Sequence, residues 1–312
     1  METNLTIAMV FPGQGSQSQG MQAELAAAYP VVQETYAQAS DVLGYDLWAL
    51  VQTGPAERLA ETVVTQPAML AAGVAAYRVW QAAGGEMPQQ MAGHSLGEYT
   101  ALVCAGAVDF VDAMRVVKRR SELMQAAVPV GIGAMAAVLG LDDETIVNLC
   151  DEASTIGIAE PVNFNSPGQV VIAGHATAVN QAVEYAKENG ARRAIVLPVS
   201  VPSHSSLMRD AGKSLLETLN ETEFSTPDIS VVSAATAVPY ADGADIRTKL
   251  SAQVYSPVLW VRTIEAMVEA GASSIIECGP GKVLAGLVRR IAKGKTVAFI
   301  DNNDSLQKAL QS

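Results

Sequence analysis

The 312-residue sequence has few of the features that mark cross-linked, metal-binding or membrane-spanning proteins. Its three cysteines, Cys104, Cys150 and Cys278, lack C-x-x-C spacing, which argues against a disulfide framework and a cysteine-ligated zinc site. No apolar run approaches the roughly 20 residues of a membrane span. Acidic residues outnumber basic ones by 32 to 20, and the net charge of −12 argues against nucleic acid or an anionic membrane as a partner.

Targeting and assembly signals are scarce as well. The first residues, Met1 to Leu5, lack the basic, then apolar, then small-residue order of a secretory signal peptide. The absence of a signal-peptide pattern and of a disulfide framework together predict a cytoplasmic protein. The sequence contains no internal repeat, low-complexity tract or coiled-coil pattern, and we expect a monomer.

A motif that does stand out is Gly93-His94-Ser95-Leu96-Gly97, which fits the nucleophile elbow G-x-S-x-G. In an elbow, a serine sits on a sharp turn between a strand and a helix, and the glycines allow backbones to approach closely. The pattern predicts Ser95 as a nucleophile at the start of a helix, whose free N–H groups can stabilise an oxyanion. A glycine-rich turn with a purely structural role would show the same five residues.

A second glycine-rich loop, Pro12 to Gly20, follows an apolar strand that ends at Phe11. Its third glycine has the wrong spacing for a dinucleotide fingerprint, and the Walker pattern fails both here and at Gly279-Pro280-Gly281-Lys282. We therefore expect its backbone to approach the serine closely rather than to bind a nucleotide.

Strands and helices alternate along most of the chain, which predicts an α/β fold with a mainly parallel sheet covered on both faces, similar to that of the α/β-hydrolases. Between Pro129 and Ser200 the order changes to β-α-β-β-α-β, the ferredoxin-like unit. We predict a catalytic domain of residues 1–128 and 201–312, with residues 129–200 as an inserted subdomain.

A serine nucleophile needs a neighbouring base, and the chain offers three histidines. His94 follows Gly93 on the elbow, where its side chain should point away from that of Ser95. His175 lies in a turn inside the inserted unit. His204 follows the last strand of the insert, where loops line the ligand crevice of α/β sheets, so elimination favours His204. No single Asp or Glu stands out as its orienting partner, and a backbone carbonyl would serve as well.

Four motifs occur together in the order typical of one family. They are Phe11-Pro12-Gly13-Gln14-Gly15-Ser16-Gln17, Gly93-His94-Ser95-Leu96-Gly97-Glu98-Tyr99, Pro202-Ser203-His204 and Gly279-Pro280-Gly281-Lys282. Together with Asn163 to Val171 in the insert, they resemble the malonyl-CoA:acyl carrier protein transacylases of bacterial fatty-acid synthesis.

The resemblance implies a role for each matching residue. Ser95 would be the nucleophile and His204 the base, with the backbone carbonyl of Gln253 orienting the imidazole. The backbone N–H groups of Gln14 and Leu96 would form the oxyanion hole.

The resemblance also assigns substrate binding to Arg120, which matches the family's malonyl-binding arginine. A guanidinium binds a carboxylate through two parallel hydrogen bonds, and malonyl keeps a free carboxylate throughout the reaction. Acetyl would leave the guanidinium unpaired. Lys118 and Arg119 should face elsewhere on the helix.

The implied reaction is ping-pong transfer of malonyl from malonyl-CoA to Ser95, then to the phosphopantetheine thiol of acyl carrier protein. It requires no metal and no bound cofactor. Acyl carrier proteins are acidic, so a basic segment near the carboxyl terminus is a candidate docking patch. The alternative is that these basic residues only complement the dipole at the C-terminus of a helix. The patch comprises Lys282, Arg289, Arg290, Lys293 and Lys295.

Other functions share parts of this pattern. Within the family, a malonate decarboxylase subunit or a discrete polyketide acyltransferase would differ in its carrier protein. Ser203 departs from the Phe-His ending of modular malonyl-specific acyltransferases and leaves tolerance for methylmalonyl open. A serine esterase or thioesterase would give Arg120 no role, and a non-catalytic carrier-binding module would not need the Ser95 and His204 pair.

Overall fold

The computed structural model describes residues 6–199 and 201–312, which form two β-sheets with helices packed against them. The strands are Ile7–Phe11 (β1), Gln90–Gly93 (β2), Gly133–Leu139 (β3), Ala159–Ser166 (β4), Gln169–His175 (β5), Arg193–Val196 (β6), Ser230–Val232 (β7), Ser274–Cys278 (β8) and Thr296–Ile300 (β9). The α-helices are Ala23–Ala28 (α1), Val31–Leu43 (α2), Leu47–Thr53 (α3), Ala56–Leu59 (α4), Thr62–Ala82 (α5), Gly97–Cys104 (α6), Phe110–Ala126 (α7), Asp143–Ala153 (α8), Ala176–Glu188 (α9), Arg209–Glu221 (α10), Gly243–Gln253 (α11), Trp260–Glu269 (α12), Val283–Ile291 (α13) and Asn303–Ala309 (α14).

The first sheet has the order β7-β2-β1-β8-β9, and all its neighbouring strands run parallel. Side chains of β1 alternate between two cores, with Met9 and Phe11 on one face and Ala8 and Val10 on the other. Both faces are therefore covered by apolar packing, as a parallel sheet requires. This confirms the predicted α/β class.

The second sheet has the order β4-β5-β3-β6, and all its neighbouring strands are antiparallel. Helices α8 and α9 share one apolar core with it, so the chain order β3-α8-β4-β5-α9-β6 is the predicted ferredoxin-like unit. The opposite face of the sheet carries Met135 and Val171, which line a cavity shared with the first sheet's loops.

The antiparallel strands all lie within residues 129–200, and the parallel strands lie outside that range. The exact division into domains stays a prediction, and two of its ends, residues 1–5 and Ser200, lie outside the described residues. The units are joined through backbone hydrogen bonds: the Phe164 N–H donates to the Val258 carbonyl at 2.9 Å, and the Val258 N–H donates to the Val162 carbonyl at 2.8 Å.

Across the described ranges, no helix combines the length and apolar character needed to cross a membrane. Within the same ranges, no group of three or more His, Cys, Asp and Glu side chains is placed to hold a metal ion.

Candidate active site

The elbow connects β2, which ends at Gly93, to α6, which begins at Gly97. Ser95 lies between them with a φ of 53°, a left-handed conformation that residues other than glycine seldom adopt. A Cβ added at Gly97 would collide with the carbonyl group of Phe11, so this close crossing of β1 and α6 requires glycine. The turn places the Ser95 side chain in a cavity of about 410 Å³ between the two sheets.

Ser95 and His204 meet in this cavity. The Ser95 Oγ lies 2.7 Å from His204 Nε2, and His204 Nδ1 lies 2.8 Å from the backbone carbonyl oxygen of Gln253 and 3.2 Å from that of Ser256. A carbonyl oxygen only accepts hydrogen bonds, so the proton of the neutral imidazole belongs on Nδ1. Nε2 is then free to accept the Ser95 hydroxyl proton.

The imidazole of His204 is buried, with 3% of the residue exposed. Burial, and then the positive charge of Arg120, lower its pKa to about 3. The histidine is therefore uncharged at neutral pH, which is the state in which it can accept a proton.

Arg120 projects from α7 into the same cavity and is 1% exposed. Its Nη1 donates to Gln66 Oε1 at 2.6 Å, and its Nη2 donates to Gln253 Oε1 at 3.0 Å and to Ser95 Oγ at 3.2 Å. All three acceptors are neutral. The buried Nε has no hydrogen-bond partner among the described residues, so the guanidinium retains capacity for a charged acceptor.

The glycine-rich loop lies against the elbow, as predicted. A Cβ added at Gly13 would meet the His94 carbonyl oxygen and would stand 3.6 Å from the Leu96 backbone nitrogen. Gln14 and Leu96 both line the cavity beside Ser95. Leu96 begins the first turn of α6, where N–H groups have no acceptor within the helix.

The other two histidines lie away from the serine hydroxyl. His94 Nε2 lies 2.8 Å from Asn165 Oδ1 on β4, and this contact joins the elbow to the second sheet. The His94 ring also packs edge-on against Trp260. His175 precedes α9, and its Nδ1 accepts a hydrogen bond from the Ile158 N–H at 2.9 Å.

Comparison with known proteins identifies the family of the chain. A model of the acyl transferase domain matches residues 8–301. The chain belongs to the acyl transferase domain family. The malonyl CoA-acyl carrier protein transacylase of Escherichia coli strain K12 is 53% identical over 304 residues, which cover 97% of this chain and 98% of the relative. The enzyme of the same name from Haemophilus influenzae is 56% identical over 285 residues, which cover 91% of each.

Solved structures agree with this assignment. The Coxiella burnetii malonyl CoA-acyl carrier protein transacylase superposes with a TM-score of 0.97 at 46% identity, covering 98% of this chain and 97% of the other. A second structure, a malonyl-transacylase in complex with a type II polyketide acyl carrier protein, gives a TM-score of 0.96 at 53% identity, covering 98% and 99%. The resemblance stated from the motifs is confirmed.

The basic residues of this acyl transferase domain lie around α13, a helix that borders the cavity. Lys282, Arg289, Arg290 and Lys293 are exposed and Lys295 is half-buried. Arg290 donates to Gln169 Oε1 at 2.8 Å, and Arg289 donates to the Val297 carbonyl at 3.1 Å. The same helix contributes Val283, Leu284 and Leu287 to the cavity wall.

Sequence reasoning missed two amides and a carboxylate that support Arg120. Gln66, on α5, and the side chain of Gln253, on α11, accept hydrogen bonds from the guanidinium. Glu98 lies behind Gln253. It follows the elbow directly, within the family motif from Gly93 to Tyr99, and this position is a signal that the sequence offers.

Proposed function

We propose that this chain transfers malonyl from malonyl-CoA to the phosphopantetheine thiol of acyl carrier protein and so supplies fatty-acid biosynthesis. The observation that carries the proposal is the placement of the buried Arg120 guanidinium 3.2 Å from Ser95 Oγ, in a cavity that also holds His204. A hydrolytic serine site needs a nucleophile and a base, but it has no use for a buried cation beside the nucleophile.

Ser95 is the nucleophile and His204 the base in the proposed mechanism. The Ser95 hydroxyl gives its proton to His204 Nε2 as Oγ attacks the thioester carbonyl. The C–S bond then breaks, and the proton passes from Nε2 to the CoA sulfur. In the second half-reaction Nε2 takes the proton of the carrier thiol, the sulfur attacks the malonyl ester, and Ser95 Oγ leaves with that proton. The Gln253 carbonyl holds Nδ1–H throughout.

The backbone N–H groups of Gln14 and Leu96 are proposed to bind the oxyanion of each tetrahedral intermediate. Their support is the contact of the Gly13 backbone with the elbow and the position of Leu96 at the start of α6. Removing one such donor costs about 3–4 kcal/mol of transition-state stabilisation in other enzymes.

Arg120 is proposed to select malonyl over acetyl. A malonyl carboxylate would give the guanidinium its charged acceptor, whereas acetyl would leave it with the neutral oxygens of Gln66, Gln253 and Ser95. A missing charged partner in a buried site discriminates far more strongly than a missing methylene does.

The carrier protein is proposed to dock at the basic residues around α13, because this helix forms part of the wall of the cavity that the pantetheine arm must reach. A cytoplasmic location and a monomeric state remain part of the proposal. The three cysteines are free thiols, which agrees with a reducing compartment.

Intact-protein mass spectrometry after brief mixing with malonyl-CoA or acetyl-CoA tests the proposal. The wild type should gain a malonyl adduct on Ser95 that acyl carrier protein discharges, and Arg120→Ala should weaken that adduct. Arg119→Ala is the matched control, because Arg119 is the preceding residue on α7 but is exposed. An adduct that discharges to water would indicate a hydrolase, and no adduct with either thioester would overturn the acyl-enzyme mechanism.

A further inference from the structure

A fully buried carboxylate lies behind the site and does not reach the cavity. Glu98, in the first turn of α6, has none of its surface exposed. Its Oε2 accepts from Gln253 Nε2 at 2.6 Å, and its Oε1 accepts from the Tyr240 hydroxyl. Burying a carboxylate is costly unless its acceptor sites are used, and here both oxygens accept hydrogen bonds.

The contacts of Gln253 indicate the role of this carboxylate. Its Nε2 donates both to Glu98 and, at 2.9 Å, to the Ser95 backbone carbonyl, while its Oε1 accepts from Arg120 Nη2 at 3.0 Å. Both amide hydrogens thus meet acceptors, and the amide oxygen meets a donor. The backbone carbonyl of the same residue accepts the proton on His204 Nδ1.

Glu98 fixes the orientation of this amide. A flipped Gln253 would set its NH₂ against the Arg120 guanidinium, donor against donor, and its oxygen against the Glu98 carboxylate, acceptor against acceptor. Burial lowers the pKa of Arg120, and the neighbouring Tyr99 hydroxyl and the Glu98 carboxylate act against this lowering. Burial also raises the pKa of Glu98 itself, so the hydrogen bonds from Gln253 and Tyr240 are what favour its ionised form.

We propose that Glu98 is a positioning residue for malonyl selectivity: through the Gln253 side chain it holds the Arg120 guanidinium beside Ser95 without touching the substrate. This inference rests on the proposed function, because selectivity for malonyl has a meaning only if Arg120 binds the malonyl carboxylate.

The test measures the ratio of kcat/KM for malonyl-CoA to that for acetyl-CoA. Glu98→Ala frees the Gln253 amide to rotate, and we expect this ratio to fall about ten- to a hundredfold, with a raised KM for malonyl-CoA. Glu98→Gln should restore most of the ratio, because its amide oxygen can accept from Gln253 while its NH₂ donates to the Tyr240 hydroxyl oxygen. A residue that serves only folding would lower the active fraction for both substrates and leave the ratio and KM unchanged.

Glu277→Gln is the matched control, since Glu277 is another fully buried glutamate and lies on β8 without contact to Gln253. Its ratio should equal that of the wild type. If Glu98→Ala does not fold, Glu98→Asp replaces it, because aspartate keeps the charge but is one methylene too short to reach Gln253.

A double-mutant cycle shows whether the effect passes through Gln253. In a Gln253→Ala background, adding Glu98→Ala should not lower the ratio further. An unchanged ratio in folded Glu98→Ala or Glu98→Asp, or an additive loss in the double variant, would overturn the positioning role. Loss of the malonyl adduct in the wild type itself would instead overturn the proposed function, so the two failures are distinguishable.

Discussion

His204 combines two properties that usually compete in a general base. It is poised 2.7 Å from the serine hydroxyl, yet burial and the Arg120 charge lower its pKa to about 3. A low pKa weakens proton abstraction, but it keeps the imidazole uncharged at neutral pH. A malonyl carboxylate bound to Arg120 would offset the charge and raise the histidine pKa, making the base stronger when the correct substrate is present.

This arrangement predicts the pH dependence of the first half-reaction. The base is active when unprotonated, so kcat/KM for malonyl-CoA should show no loss attributable to His204 between pH 8 and pH 5. Arg120→Ala removes one of the influences that lower the pKa of His204. The acid limb of the pH–rate profile should therefore move to higher pH in this variant. Stopped-flow acylation rates across this range provide the measurement. A wild-type acid limb centred near the ordinary histidine value of about 6.5 would contradict it.

For single residues, the sequence predicts catalytic roles but not the side-chain contacts that support them. Ser95 and His204 follow from motif and elimination, because the chemistry allows few alternatives. The amide contacts of Gln66 and Gln253 with Arg120 join residues 54 and 133 positions apart, and no local pattern encodes such pairs. Only the folded chain brings these residues together.

Among the elements, the junction of β8 and α13 illustrates how one carboxylate can serve a helix terminus. Glu277 is the fourth residue of β8, and its Oε2 accepts the Ala285 N–H at 2.7 Å in the first turn of α13. Its second oxygen has no partner among the described residues. Burial, the dominant effect, raises its pKa to about 7.

The raised pKa predicts how stability depends on pH. Between pH 4.5, the ordinary glutamate pKa, and about pH 7, the folded state binds more protons at Glu277 than the unfolded state does. The contribution of Glu277 to the free energy of unfolding therefore falls as pH rises through this range. Glu277→Gln keeps an acceptor for Ala285 but cannot ionise. Its free energy of unfolding relative to wild type should therefore increase by about 3 kcal/mol from pH 4.5 to pH 7.5. Urea unfolding at the two pH values measures this, and a pH-independent difference would contradict it.

Periodic segments were the most predictable elements, and partly exposed ones the least. The sequence pattern from Val31 to Leu43 predicts a helix, and α2 spans the same residues. No pattern predicts α14, Asn303–Ala309. Hydrophobic periodicity predicts a buried stripe on α13 that includes Val283, but Val283 is 51% exposed. The expectation was wrong because this end of the helix borders the cavity, an opening that hydrophobic periodicity does not reveal.

Across the whole molecule, charge is distributed unevenly in a way that matters for the proposed partner. The chain carries a net charge of −12, yet residues 282–295 hold five basic residues and no acidic one. An acidic carrier protein would be repelled by most of this surface and attracted to the side of the cavity that α13 borders. The proposed docking patch therefore orients the carrier as well as binding it.

Charge reversal at Arg289 and Arg290 tests whether these residues attract the carrier protein. The double Arg→Glu variant should raise KM for acyl carrier protein about tenfold at low salt and flatten the salt dependence of that KM, because screening acts on the attraction that the variant removes. Steady-state kinetics at several ionic strengths provide the measurement. Acylation of Ser95 should keep its maximal rate, since neither arginine contacts the Ser95 and His204 pair.

A control must change the net charge equally, because carrier repulsion also depends on the whole surface. Arg115→Glu with Lys187→Glu does so, since each pair of substitutions removes two positive charges and adds two negative ones. Arg115 and Lys187 have side chains 62% and 51% exposed, and among residues 6–199 and 201–312 each forms an ion pair only with a carboxylate one turn away on its own helix, α7 or α9. A steering patch requires a clearly larger effect at Arg289 and Arg290 than in this control. Equal effects would mean that the carrier senses only the overall charge and docks elsewhere.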